Sequence, residues 1–315
     1  MNISCKNKYN VLHYSITKVK RSDLDETKYT SCLQNALNYQ IYAEIWVLDI
    51  LSERKWFCYI LNDYEAIFPI PYQIFWGIKV VSLPPIIQQL GIFYKKKLDK
   101  ERFNSLIKKL KRNIVRGYSF NEDNTKNYPL QGEIRPNQLI KLNTSYENVA
   151  SSYNRNRKRN LRDFANDKKI IYSQEIETFI TLYKKEYPSL VSPKKIKLLY
   201  NLMEASFKNG AGYQYRIEEN GELLSSLFYL EQNKKIYQLG ASRIKKESFG
   251  STFSVIIDYV LRIKSNQINV YDFEGSRIPG VHSFNKSFGA EEVQYTYYTN
   301  IALLNKLYSL IKNKS

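Results

Sequence analysis

The sequence predicts an α/β (α+β) chain of mixed, mostly antiparallel sheet flanked by helices, and three observations carry that expectation. The stretch from Lys234 to Glu274 reads as strand, helix and strand: Lys234–Arg243, a helix opening after Glu247, then Ile268–Glu274. A crossover of this kind sets its two strands parallel, with the helix on one face. Short polar turns such as Asn62-Asp63, Glu219-Asn220-Gly221 and Gln232-Asn233 separate apolar runs in the manner of β-hairpin turns. Apolar residues recur every three or four positions in between, as in Leu98–Asn113, which predicts amphipathic helices.

In chain order, residues 9–16 alternate as a first strand, and Asp23–Asn38 has helical spacing. The apolar run Ile41–Ile50 fits helix or strand, and periodicity alone leaves it open. A hairpin of Lys55–Leu61 and Tyr64–Ile70 follows, then a strand at Ile78–Leu83. Pro84-Pro85 forces the chain to be extended before Gln88–Phe93. After the basic helix comes a strand at Ile114–Ser119. The polar stretch Asn121–Gln131 lacks periodicity, so a domain junction is expected there: residues 1–130 as one domain and 131–315 as a second.

The second half opens with a strand at Asn137–Leu142 and a helix from Tyr146 to Ala165 capped by Asn143-Thr144-Ser145. A strand at Lys168–Ser173 precedes helices at Ile176–Tyr187 and Pro193–Lys208, the latter with proline in its first turn. From Gly212 the pattern becomes a three-stranded meander through Ser242. The crossover helix Thr252–Lys264 leads to the strand at Ile268–Glu274, a short helix near 279–287, a strand at Glu292–Thr299 and a closing amphipathic helix through Ile311.

Forty-three per cent of the 315 residues are hydrophobic, enough for the cores of two domains. The chain carries 48 Lys+Arg against 30 Asp+Glu, a formal charge of +18 that favours anionic partners. Lys, Asn, Ile and Tyr are abundant together, as the coding bias of an AT-rich genome produces, and that bias accounts for most of the lysines. Cys5, Cys32 and Cys58 are isolated, and only His13 and His282 could join them, so neither a metal site nor a disulfide framework is expected. The N-terminus lacks the apolar segment of a signal peptide, and no apolar run is long enough to be a transmembrane segment, so the expected location is cytoplasmic. Nothing in the sequence addresses the oligomeric state.

The element order of the second half, with Asp272-Phe273-Glu274-Gly275-Ser276 and Phe284-Asn285-Lys286-Ser287-Phe288-Gly289-Ala290, resembles the GNAT acyltransferase fold. More specifically it resembles the FemABX-like branch, whose members carry two GNAT-like domains in tandem; the first would be a degenerate copy that frames the site. The resemblance implies transfer of an acyl or aminoacyl group from acyl-CoA or aminoacyl-tRNA to an amine acceptor, directly and with no covalent enzyme intermediate. The donor's arm would lie where the strands at 235–242 and 268–274 diverge. Glu247-Ser248-Phe249-Gly250-Ser251-Thr252 aligns with the pyrophosphate loop of GNAT enzymes, placing Ser248, Gly250 and Ser251 at the donor. Where FemABX-like sequences commonly show Phe-Lys, this chain has Phe284-Asn285 and a lysine one place on, at Lys286.

Asp272 and Glu274, two apart on one strand, would share a face and deprotonate an attacking ammonium; an ion pair with Arg243 or Arg277 is the structural alternative. His282 has a side chain suited to base catalysis, and a solvated surface role is its bland alternative. Lys286 could neutralise a phosphate or an oxyanion. Tyr237, Tyr271 and Tyr295 could protonate a leaving group or simply fill the core. The run Asn154–Arg162 is the densest positive stretch and reads mainly as a solvated helix face, except that Arg157 falls on its apolar stripe and needs an anionic partner, either a buried carboxylate or a substrate phosphate or carboxylate. A second function class is a catalytically inactive binding protein for RNA or a phosphorylated ligand, although no RNA-binding signature is present.

Overall fold

The computed structural model describes residues 14–162, 168–189, 191–243, 252–275 and 277–301. The first half runs β1 (Ile16–Lys20), α1 (Glu26–Gln34), α2 (Ile45–Leu51), β2 (Trp56–Leu61), β3 (Ala66–Phe75), β4 (Ile78–Ser82), the two-residue β5 (Phe93–Tyr94), α3 (Lys100–Lys111) and β6 (Ile114–Phe120). Then come α4 (Glu122–Asn127), β7 (Glu133–Lys141), α5 (Tyr146–Ser151) and α6 (Arg155–Arg162). The second half continues β8 (Lys168–Ser173), α7 (Ile176–Glu186), α8 (Pro193–Lys208), β9 (Gly212–Glu219), β10 (Glu222–Gln232) and β11 (Lys235–Arg243). It closes with α9 (Thr252–Lys264), β12 (Val270–Asp272), α10 (Pro279–Lys286) and β13 (Glu291–Tyr298).

One order of elements occurs twice: a strand, two helices, three antiparallel strands, a helix, and a strand parallel to the third of the three. In the first half β6 lies parallel to β4, and in the second β12 lies parallel to β11. The strands join into one sheet in the order β1-β2-β3-β4-β6-β13-β7-β12-β11-β10-β9-β8, with β5 on β3. β13 bridges the halves, pairing with β7 on one side and β6 on the other.

Period-two alternation explains how the second-half sheet is covered. Phe228 and Leu230 of β10 pack into one apolar cluster with Phe179 of α7 and Leu202 of α8, whereas Leu227 and Tyr229 pack into another with Ile256 and Val260 of α9. Asn220 and Gly221 take the positive φ of a tight two-residue turn as their chemistry favours, whereas the next turn is made by Asn233 and Lys234 rather than the expected Gln232-Asn233, since Gln232 pairs with Lys235.

Several local expectations need correcting. The first strand begins at Ile16, and residues 9–13 lie outside the described residues. Ile41–Ile50 resolves as a short 3-10 turn followed by α2. The polar stretch at 121–131 contains α4, because the Asn121 side chain accepts from the Asn124 amide and caps it. The single helix expected from Tyr146 is two: α5 ends at Ser151, and Asn154 Oδ1 accepts from the Arg157 amide at 2.9 Å to start α6 afresh. The strand expected through Glu274 stops at Asp272. The closing helix through Ile311 lies outside the described residues.

Candidate active site

β11 and β12 are paired only at their beginnings, from Lys235↔Val270 to Tyr237↔Asp272. Beyond Tyr237, β11 continues to Arg243 against β10 alone, while β12 ends and its chain turns away. The turn is made by Glu274 at φ 59° and Gly275 at φ 46°. A Cβ at Gly275 would lie 2.8 Å from the Asn137 backbone, so only glycine lets the chain turn there. Positive φ at a glutamate is uncommon, and such backbone is held only where its surroundings determine it. Here the Glu274 amide donates to Asp272 Oδ1 at 2.8 Å, and Gln88 Nε2 donates to the Glu274 carbonyl.

A cavity of about 420 Å³ opens where the strands part. Leu239 of β11 and Glu274 and Gly275 after β12 lie at its base; Arg135 and Pro136 of β7 and Tyr295 of β13 form one wall. Tyr183 of α7 and Lys195 and Leu199 of α8 form another, and Pro85–Gln88 of the first half roof it. Arg135 is paired with Glu133 at 2.7 Å and stacks 3.5 Å above the Tyr297 ring; Arg277, also at the rim, reaches the same Glu133 at 2.9 Å. Burial pulls Lys195 below the ordinary lysine value. Among the described residues the lining therefore carries three cations against the single carboxyl of Glu274.

That carboxyl is unusual. Burial, together with the neighbouring Asp272 carboxylate, raises it well above the ordinary carboxylate range, against the opposing pull of the Tyr42 hydroxyl and Lys235. Tyr42 is fully buried, and its ring meets the Tyr237 ring edge-on at 5.8 Å.

Behind Glu274 the paired ends of β11 and β12 enclose a charge cluster. Lys235, 9% exposed, donates to Asp272 Oδ2 at 2.9 Å and lies 3.5 Å from Glu122 and 3.4 Å from Gln40 Oε1. Burial lowers the Lys235 pKa, but Asp272 and Glu122 more than offset this, and the net shift is upward. Asn137 Nδ2 donates to Asp272 Oδ1 at 3.0 Å. The Tyr237 hydroxyl accepts from the Ile41 amide at 3.2 Å, a further polar link between the halves.

The expected residues separate accordingly. Asp272 and Glu274 do not share a face: strand alternation ends at Asp272, which is 1% exposed and committed to Lys235 rather than to Arg243 or Arg277, while Glu274 alone reaches the cavity. Tyr295 lines it; Tyr237 and Tyr271 are fully buried. Arg243 pairs with Glu186 of α7 at 2.7 Å. Arg157 lies 4.4 and 4.2 Å from the Phe284 and Phe288 rings and donates to Ser287 Oγ at 2.8 Å; burial lowers its pKa to about 10. Gln138 Nε2 donates to His282 Nδ1 at 2.9 Å, and His282 Nε2 faces Glu292 at 3.2 Å, outside the cavity lining. Lys286 is exposed at the end of α10. Ser248, Gly250 and Ser251 lie outside the described residues.

Sequence reasoning missed Lys235, Arg135, Lys195 and Gln88. Lys235 follows another lysine in a hairpin turn, where solvation is the default, and the others are placed by tertiary contacts. Among the described residues no group of His, Cys, Asp or Glu is arranged to hold a metal ion. Cys32 and Cys58 are buried in the apolar cluster that also takes in Phe179, Leu202 and Phe228 of the second half, and burial raises the Cys32 thiol to about 11.

FemX is similar in structure over almost its whole length: TM-score 0.67, with 92% of this chain and 99% of that chain covered at 10% sequence identity. The chain has a FemABX-like GNAT fold. L-PGS from Bacillus licheniformis matches at TM-score 0.53 and 11% identity, covering 91% of this chain and 96% of that one. The C-terminal domain of a putative lysylphosphatidylglycerol synthetase from Agrobacterium fabrum does so at TM-score 0.53 and 11% identity, covering 87% and 91%. No protein-family model and no curated protein sequence matches the chain. Likeness at this identity carries the fold, and the chemistry has to be argued from the cavity itself.

Proposed function

We propose that this protein is a cytoplasmic N-acyltransferase, moving an acyl or aminoacyl group from acyl-CoA or aminoacyl-tRNA to an amine, with the cavity between β11 and β12 as its site. Residues 131–315 carry the donor site and residues 1–130 frame it through Pro85–Gln88. The observation that carries this reading is Glu274, a carboxyl of raised pKa held at the point where the two strands part. A general base works best when its pKa approaches the operating pH, and burial has moved Glu274 in that direction.

The donor's arm lies along the unpaired edge of β11 beyond Tyr237, with its anionic part towards Lys195, Arg135 and Arg277. The amine nitrogen attacks the carbonyl carbon, forming the C–N bond. Glu274 takes the proton that this nitrogen sheds as the tetrahedral intermediate forms. Collapse breaks the carbonyl bond to the leaving oxygen or sulfur, which takes a proton from Tyr295; Glu274 returns the proton to the tyrosine through water. The products are an amide and a free hydroxyl or thiol, with no enzyme nucleophile required.

The test is single-turnover transfer from acetyl-coenzyme A and from aminoacyl-tRNA to a panel of amines, comparing wild type with Glu274→Gln. The variant should lose about 10²–10⁴-fold in rate while melting no lower than wild type. An unchanged rate would remove Glu274 from the chemistry. Salt-sensitive RNA binding without turnover on any amine would replace catalysis with the inactive binding reading.

A further inference from the structure

The hairpin of β3 and β4 carries large apolar side chains into solvent. Trp76 is 100% exposed, Ile78 55%, Ile74 53% and Phe75 43%. Its register is Ile74↔Lys79 and Phe75↔Ile78, leaving Trp76 and Gly77 as the turn, at φ 47° and 79°. A two-residue turn with positive φ at both positions favours Asn or Asp followed by Gly, and tryptophan there is conformationally unfavourable. Trp76 recovers nothing by packing, since it is wholly exposed. A contiguous apolar patch of this kind marks a contact surface.

Set back from the tip is a basic groove of about 500 Å³ on the same end of the sheet, lined by Lys18, Lys20, Arg54, Phe57, Tyr72 and Lys79. Lys18 Nζ sits 4.0 Å above the Phe57 ring and Lys79 Nζ 4.8 Å above Tyr72. Arg54 is paired with Asp49 at 3.1 Å, whereas Lys18, Lys20 and Lys79 have no carboxylate partner among the described residues. Burial and the charge of Lys79 both lower the Lys18 pKa, as for cations gathered without a counter-ion.

We propose that this hairpin is a peripheral membrane anchor, with Trp76, Phe75, Ile74 and Ile78 entering the interface of an anionic bilayer while Lys18, Lys20 and Lys79 meet lipid phosphates. The depths agree. Lys79 stands two residues behind Gly77, roughly 7 Å at the usual strand rise, and interfacial elements bury their apolar side about 5–10 Å deep. Tryptophan is the side chain enriched at that boundary. The net charge of +18 adds attraction to an anionic surface. RNA fits less well, because exposed isoleucines offer neither a stacking face nor a phosphate contact. Among the described residues no helix is long and apolar enough to cross a membrane, so the contact is peripheral.

The experiment is co-sedimentation of the full chain with vesicles of pure phosphatidylcholine and of equimolar phosphatidylcholine and phosphatidylglycerol, with thermal midpoints confirming that each variant is folded. Wild type should sediment with the mixed vesicles and remain in solution with the neutral ones. Trp76→Ala should weaken partitioning about tenfold, and Lys79→Ala about fivefold, with transfer rates on soluble amines unchanged. No sedimentation with anionic vesicles, or equal sedimentation of Trp76→Ala, overturns the proposal. RNA binding that depends on Trp76 without vesicle binding reassigns the surface to RNA. A concentration-dependent dimer that Trp76→Ala dissociates, again without vesicle binding, reassigns it to a second copy.

Discussion

The two ends of one strand pair differ sharply. Where β11 and β12 begin they are hydrogen-bonded, and the space around them holds Lys235 among Asp272, Glu122 and Gln40. Where β12 ends the strands part, and the space holds a cavity lined by Arg135, Lys195, Arg277 and the Glu274 carboxyl, which burial raises well above the ordinary carboxylate range. The closed end is organised by an ion pair, and the open end holds a carboxyl that burial pushes towards its neutral form. The same carboxylate, Asp272, serves both ends: it binds Lys235 with one oxygen and fixes the Glu274 backbone with the other.

Removing the cation at the closed end should have the largest effect. Lys235→Met leaves Asp272 buried and uncompensated, which should lower stability by about 3–5 kcal/mol in denaturant unfolding. Adding Asp272→Asn to it should restore much of the loss, because the uncompensated charge is then gone. If Lys235→Met is neutral, the closed end is not organised by charge.

At the open end the sign reverses. The folded pKa of Glu274 is raised, so its protonated form adds stability that is fully present below the ordinary carboxylate range. That stability is lost as pH rises from there through the raised value. Unfolding free energy compared between wild type and Glu274→Gln should therefore show the variant gaining on wild type across that window. The wild-type transfer rate should rise over the same window, since the base acts only when ionised. A variant that gains nothing with rising pH would mean Glu274 is not strained towards neutrality.

Arg157 tests whether buried positive charge elsewhere has any part in the site. Arg157→Met keeps the packing volume but loses the stacking on Phe284 and Phe288 and the Ser287 bonds, and should cost about 1–2 kcal/mol in stability. The smallest effect is expected at His282, which is tied to Gln138 and Glu292 outside the cavity: His282→Ala should change melting by less than about 1 kcal/mol and leave transfer intact. A large loss of rate in that variant would extend the site to α10.

The alternation and turn chemistry around Asn220-Gly221 and the proline-led α8 were legible in the sequence, because both are set by neighbours along the chain. So was the parallel pair joined by α9, since a crossover helix admits few topologies. The break between α5 and α6 was not, because a single Asn154 cap outweighed an otherwise continuous helical pattern. α4 was hidden for the opposite reason: it is polar throughout and depends on the Asn121 cap rather than on periodicity. Glu274 was legible as a candidate, but its separation from Asp272 was not, since a residue of positive φ ends the alternation that strand reasoning assumes. Lys235 finds Asp272 and Glu122 only through tertiary packing, and local pattern carries no trace of it.

The most direct test of the open cavity as the donor site is a thermal-shift titration with acetyl-coenzyme A and with aminoacyl-tRNA, on wild type and on Leu239→Trp, which fills the gap at its base. A ligand bound only by the folded state stabilises it by about 2.7 kcal/mol at one hundred times its dissociation constant. One of the two donors should raise the wild-type midpoint with concentration and leave Leu239→Trp, measured against its own donor-free midpoint, unmoved. A donor that stabilises both proteins equally, or no stabilisation of wild type by either, would contradict the assignment of this cavity to acyl transfer.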